Sequence, residues 1–157
     1  SDLENEDEVR KVILALSQDI GHKLRVHGLS TRTVQIYVRG NDLFGSQFQC
    51  KLPIKTQLPS EIAAAAFRCF QERYTWNTKV RAVTVRAIEL SPKSDAEQVS
   101  LFDNVQQRIA KEKVQDAVEE IRGRFGKAAV TYASLLGDLK MPADGRDKVK
   151  MPGIMYQ

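Results

Sequence analysis

Five amphipathic segments follow one another in the order helix, strand, strand, helix, strand, and the switches between a period of 3.6 and a period of 2 leave little freedom in how they can be assembled. In the first segment Val9, Ile13, Leu16, Ile20 and Leu24 step by three or four residues, which predicts a helix over residues 5–27 with one apolar stripe. Glu4, Glu6, Asp7 and Glu8 crowd its start, where they suit the positive end of the macrodipole, and Gly28 after His27 is placed for a left-handed C-terminal cap. Ser30–Arg39 alternates, with Val34, Ile36 and Val38 on one side and Thr33, Gln35, Tyr37 and Arg39 on the other. Gln47–Lys55 alternates as well, Phe48, Cys50, Leu52 and Ile54 against Gln49, Lys51, Pro53 and Lys55. The turn residues Gly40-Asn41-Asp42 and Gly45 between them predict an antiparallel hairpin, and Pro53 puts its second strand at or near an edge. Pro59 suits the first turn of a second helix, down one side of which run Ile62, Ala66, Cys69 and Arg73. Val80–Leu90 is the third strand, with Val83, Val85 and Ala87 opposite Thr84 and Arg86, and Ser91-Pro92 predicts its end. One arrangement buries every apolar side: an α+β domain with the helices on one face of an antiparallel sheet and the other face free.

Apolar residues make up 42% of the 157 and charged residues 28%, which excludes a disordered chain and leaves enough for a core. No apolar run approaches the roughly 20 residues that span a bilayer, so no membrane partner is expected. The acidic start, SDLENEDE, is the opposite of a secretory leader; a cytoplasmic location is expected, and the abrupt beginning is that of an excised piece. Cys50 and Cys69 lie in apolar patterns outside any CxxC or Cys/His cluster and read as two reduced core thiols. His22 and His27 have no carboxylate or cysteine arranged around them and read as surface or capping groups. There is no glycine-rich phosphate loop, no HExxH, and no serine or cysteine with a plausible histidine. Asp103, Glu112, Glu119 and Glu120 read as helix-start and helix-surface charges, so neither catalytic nor metal-binding residues are expected.

Beyond the third strand a polar linker, Lys93–Glu97, leads into Gln98-Val99-Ser100-Leu101-Phe102, then Asp103-Asn104 as a helix start. The next helix runs to Phe125 on a narrow stripe of Val114, Val118, Ile121 and Phe125, with Gly126 as its cap. Ala129–Leu136 is strand-like. The expected organisation is a core over residues 1–92, a linker, helix and strand extension over 93–136, and a loosely held tail over 137–157.

A valine- and arginine-rich strand running into a QxSLF pentapeptide resembles the C-terminal part of Y-family lesion-bypass DNA polymerases, the UmuC-type and polymerase IV-like branch, over residues 5–136. The resemblance implies the little finger fold, a β-α-β-β-α-β layer that here lacks its first strand and so leaves a sheet edge unpaired. It implies a domain that grips duplex primer-template DNA for an error-prone translesion polymerase, in DNA repair and the SOS response. It also implies docking to the bacterial sliding clamp through Gln98, Val99, Ser100, Leu101 and Phe102, with Val99 where leucine is commoner. The carboxylates and Mg2+ of polymerase chemistry belong, by the same resemblance, to a palm domain elsewhere. This piece is then a monomeric, non-catalytic module without a cofactor.

The charge distribution bears on the DNA reading without help from the resemblance. Net charge is only +4, but residues 30–56 hold four basic residues against one acidic, and residues 72–93 five against two. Residues 1–29 and 94–127 are slightly acidic. Positive charge therefore gathers on the strands, as a sheet that meets a polyanion requires. The candidate DNA contacts are Arg32, Thr33, Gln35, Arg39, Gln49, Lys51, Lys55, Arg81, Thr84 and Arg86. Tyr37 stands alone among them, so a base-stacking platform is not expected, and backbone contacts without sequence preference are. The competing interpretation is a free-standing α+β protein-interaction module, its basic face incidental, with Leu101 or Phe102 stapled onto the following helix near Ile109.

Overall fold

The computed structural model describes residues 2–93, 105–127 and 130. The elements are α1 (Glu6–His27), β1 (Leu29–Gly40), β2 (Gly45–Thr56), α2 (Pro59–Arg73), β3 (Val80–Pro92) and α3 (Val105–Phe125). Residues 2–93 belong to one compact unit and α3 to a second.

Local chemistry sets the ends of α1. The Asn5 side chain accepts from the Glu8 N–H at 3.0 Å, and the Glu8 carboxylate reaches back to accept from the Glu4 N–H at 2.7 Å, a reciprocal arrangement close to a capping box. Gly28 terminates the helix at φ 66°, its N–H bonded to the last-turn carbonyls. α2 has no side-chain cap at Leu58; Thr56 substitutes, its hydroxyl accepting from the Leu58 N–H at 2.9 Å and donating to Glu61 at 2.6 Å.

The sheet order is β2-β1-β3, all antiparallel, so β1 is central. The apolar rows run straight across it: Cys50–Val34–Ala87, Phe48–Ile36–Val85 and Ser46–Val38–Val83. α1 packs this face over β1 and β3, α2 over β1 and β2. Val9, Ile13, Val34, Ile36, Ile62, Ala66 and Cys69 are fully sealed from solvent there. Phe70, with Tyr74 stacked on it at 5.0 Å and Trp76 edge-on at 5.7 Å, closes the core where α2 turns into β3. Pro53 lies in the irregular part of β2, between Lys51 opposite Thr33 and Thr56 opposite Thr31, where no ladder N–H is needed. β3 runs on to Pro92, beyond the expected stop at Leu90, because Ser30 and Leu29 are still present in β1 to pair with Ser91 and Pro92. The edge expected to be bare carries one bridge, in which Leu3 and Val80 exchange both backbone hydrogen bonds at 2.7 and 3.0 Å.

The buried stripe of α1 is displaced from the one its apolar residues define. Ser17 and Gly21 are buried while Leu16 and Ile20 are only partly so. The cause is the approach of α2: a Cβ at Gly21 would stand 2.6 Å from Pro59 Cγ and 2.9 Å from the Gln57 carbonyl oxygen. Gly21→Ala is therefore expected to lower stability by about 1–3 kcal/mol through overpacking, read as a lower urea midpoint at unchanged slope. An unchanged midpoint would mean that the two helices separate there without cost.

In the second unit α3 ends at Gly126, at φ 102°, and Arg122 donates to the Val130 carbonyl through Nε at 2.9 Å and Nη2 at 2.7 Å. Val114, Ile121 and Phe125 of its stripe are exposed. The strand-like segment 129–136 lies outside the described residues apart from Val130.

Candidate nucleic-acid interface

Because directly paired residues share a face, the sheet register specifies what the face away from the helices presents. Its rows are Gly45–Arg39–Ala82, Gln47–Tyr37–Thr84, Gln49–Gln35–Arg86 and Lys51–Thr33–Ile88. Gln35 and Gln49 are joined at 3.2 Å, Nε2 to Oε1, which aligns two amides beside Arg86. Arg39, Gln47, Gln49, Lys51, Thr84 and Arg86 are all exposed. Arg81 is exposed at the bulge where the pairing of β1 with β3 shifts between Arg39 and Gly40.

Several cations away from this face are neutralised by carboxylates. On α1 Arg10 and Lys11 both pair with Asp7 at 3.3 Å, Lys79 reaches Glu4 at 3.0 Å, and on α3 Arg124 pairs with Glu120 at 2.8 Å. Arg39, Lys51, Arg81 and Arg86 make no ion pair among the described residues. Four exposed cations on and beside one open sheet face, with hydroxyls and amides between them, can neutralise and hydrogen-bond a row of phosphates.

Three expected contacts are placed differently. Thr33 points to the open face but is 2% exposed, and its hydroxyl is donated to the Glu89 carboxylate at 2.8 Å. Glu89 reaches it from a left-handed backbone conformation, φ 53°, at the end of the face. Arg32 has the parity of Val34, which faces the helices; it is half-buried, and its Nε is closed off from solvent. Lys55 follows the irregular part of β2 and donates to the Pro92 carbonyl at 3.2 Å, so it ties β2 to the end of β3. Gln98, Val99, Ser100, Leu101 and Phe102 lie outside the described residues.

Two features of the face were not anticipated from the sequence. Gln47 joins it through its pairing with Tyr37. Gly45 allows Tyr37 to lie along the sheet: a Cβ there would overlap the Tyr37 hydroxyl and stand 2.8 Å from Cε2. A glycine two residues before the cross-strand partner of an outward tyrosine is the signal that marks this, although it reads equally as turn chemistry. Around the hairpin end, on the helix side, a cavity of about 300 Å³ is lined by Asp42, Phe44, Phe48, Arg73, Tyr74 and Asn77 among others. Burial, with the Asp42 charge adding to it, raises the Tyr74 phenol above its ordinary value. Among the described residues no three His, Cys, Asp or Glu side chains gather as metal ligands, and no helix is long and apolar enough to cross a membrane.

Residues 1–101 match the model of the impB/mucB/samB family C-terminal domain. The chain is 37% identical over 137 residues to a DNA polymerase IV of Acetivibrio thermocellus, an alignment that covers 87% of this chain and 34% of the relative. It is 29% identical over 133 residues to the DNA polymerase IV of Desulfatibacillum aliphaticivorans, covering 85% and 34%. It is 31% identical over 133 residues to DNA polymerase IV 2 of Bacillus subtilis, covering 82% and 31%. The chain thus spans about a third of the length of the curated relatives it matches.

Proposed function

Because the chain belongs to the impB/mucB/samB family C-terminal domain, the C-terminal domain of Y-family DNA polymerases, we propose that its open sheet face grips the backbone of duplex primer-template DNA. The observation that carries this is the set of exposed cations Arg39, Lys51, Arg81 and Arg86, without ion pairs among the described residues, on and beside a face that also carries the amides of Gln35, Gln47 and Gln49 and the hydroxyls of Tyr37 and Thr84, with the Glu89 carboxylate at its end. Phosphates supply the missing counter-charge, and the amides of Gln35 and Gln49 fix register without reading bases. The parent protein is then a translesion DNA polymerase acting in damage tolerance, whose carboxylates and Mg2+ sit in another domain. The role of this domain is to hold the duplex while that chemistry proceeds. In the same reading Gln98–Phe102 docks on the sliding clamp, Gln98 making polar contacts and Leu101 and Phe102 filling an apolar pocket.

Titration of the chain with a duplex oligonucleotide at several salt concentrations tests the first part. The expected result is weak, sequence-tolerant binding whose log K falls with log salt by about 0.9 per phosphate contact. Affinity that is constant between about 50 and 200 mM salt would exclude a phosphate-gripping face, since counterion release makes such binding steep. Calorimetric titration with purified clamp tests the second part: heat is expected from the parent chain and none from a Leu101→Ala, Phe102→Ala variant of unchanged melting temperature. A variant that melts lower, beside a parent that gives no heat, would instead make the pentapeptide a packing element.

A further inference from the structure

One hydroxyl of the open face is already occupied by an anion, and that anion belongs to the chain itself. Thr33 lies in the central strand, in the row Lys51–Thr33–Ile88, where a hydroxyl beside a lysine suits a phosphate oxygen. Its Oγ1 instead donates to the Glu89 carboxylate at 2.8 Å, and Thr33 keeps only 2% of its surface in solvent. Alternation alone would not bring Glu89 there. Thr33 pairs with Ile88 and Thr31 with Leu90, so Glu89 falls level with Arg32, whose parity is that of the helix side. A left-handed backbone, φ 53°, turns it over to the open face. Such a conformation is uncommon for a residue with a long side chain and persists where a contact holds it; here that contact is the bond to Thr33. Glu89 itself is exposed and makes no ion pair among the described residues, beside a face whose cations make none either.

We propose that Thr33 is a phosphate seat of the DNA face and that Glu89 fills it in the unbound domain, to be displaced by the backbone of the duplex. This rests on the reading of the face as a grip for phosphates, and adds an internal competitor to that grip. A carboxylate accepts a hydrogen bond from a hydroxyl as a phosphodiester oxygen does, so the two anions compete for one donor. They do not share it: an arriving phosphate takes the bond and also repels the carboxylate beside it. When Glu89 leaves, its carboxylate returns to water and its backbone is released from the left-handed region, which offsets part of the lost bond. Lys51, directly across from Thr33, remains to neutralise the phosphate. The face then grips outright at Arg39 and Arg86 and by exchange at Thr33, so it holds DNA less tightly than its cations alone would.

The test is a double-substitution cycle on the intact chain, read as affinity for a duplex oligonucleotide at about 0.1 M salt. Glu89→Gly empties the seat and accepts the same backbone conformation; it should bind on the order of 10-fold tighter, the scale of one hydrogen bond to a charged group. Glu89→Asn, neutral and also tolerant of positive φ, should shift affinity in the same direction and covers a folding defect in the first variant. Thr33→Val in the parent should change affinity by less than about 2-fold, because binding there only exchanges one acceptor for another. In the Glu89→Gly background the same Thr33→Val should cost most of the gain. A gain from Glu89→Gly as large with Thr33→Val as without it would reduce Glu89 to a nearby charge, and no gain at all would put Thr33 outside the DNA contact. Either result overturns the seat while salt-dependent binding by the parent still stands. Absence of binding in the parent and in both Glu89 variants overturns the grip and the seat together, whereas binding that appears only once Glu89 is replaced supports the seat.

Discussion

Replacing Arg39, Lys51 and Arg86 together by alanine is expected to weaken duplex binding on the order of 10²–10³-fold at 0.1 M salt and to remove about 2.7 from the salt slope, by the rule of about 0.9 per lost phosphate contact. The three residues come from three strands and stand in three different rows of one face, so each would reach a different phosphate. All are exposed and, among the described residues, without ion pairs, so the substitutions remove no counter-charge that the fold is seen to need. The melting temperature should therefore hold. Arg10→Ala, on α1 and paired with Asp7 at 3.3 Å, is the control: it lowers net charge at a site off the sheet and should barely move the slope. A triple variant with the parent's slope would move the DNA to another surface. An equal loss in Arg10→Ala would reduce the effect to net charge.

The largest stability effect is expected at Ile36. Ile36→Ala should cost about 2–5 kcal/mol, measured by urea unfolding, whereas Gln35→Ala next to it should change stability by less than about 0.5 kcal/mol. Ile36 is wholly buried in the central strand, with Phe48 on one side and Val85 on the other in the same row. Neither neighbour can collapse into the space without shifting a strand that other rows hold in register. Gln35 is on the opposite side, its side chain bonded to Gln49. Comparable losses at both positions would mean that β1 is turned over, with its apolar row to solvent. Fluorescence of Trp76, which packs edge-on against Phe70 at the end of the core, reports the transition.

Much of this architecture is legible in the chain because each segment states its own period. Val34, Ile36 and Val38 announce a strand and its buried side, and the acidic run Glu4–Glu8 and Gly28 announce where α1 begins and ends. What the chain does not announce is how distant segments meet. Nothing local to Val80–Pro92 says that it pairs with β1 rather than β2, since that choice is made by which neighbour completes the apolar rows. Gly21 joins the buried side of α1 because of Pro59, 38 residues away in the chain. Thr33 has the correct parity for a phosphate contact and loses the role to Glu89, whose left-handed backbone no alternation rule anticipates. Of the ten expected DNA contacts, those on regular ladder positions lie where parity puts them. Arg32, Thr33 and Lys55 cluster where the ladder of β1 with β2 is irregular. Period-2 reasoning holds as far as the ladder does.

The single bridge between Leu3 and Val80 has a further consequence, for how the chain behaves among copies of itself. Beyond Val80, the outer backbone of β3 carries no further ladder among the described residues, which by itself is a template for edge-to-edge association. The strand is poorly suited to being copied. Arg81 bulges from its start, Glu89 twists its far end out of extended geometry, and Pro92 withholds an N–H. That leaves Ala82–Ile88 as the regular stretch, with Arg86 on it. Two such edges meeting would have to bring their cations together over a short, twisted seam, whereas a segment as short as Asp2–Leu3 needs only the one straight position at Val80. The edge thus admits a brief local partner and discourages growth into stacked sheets, a built-in resistance to self-aggregation.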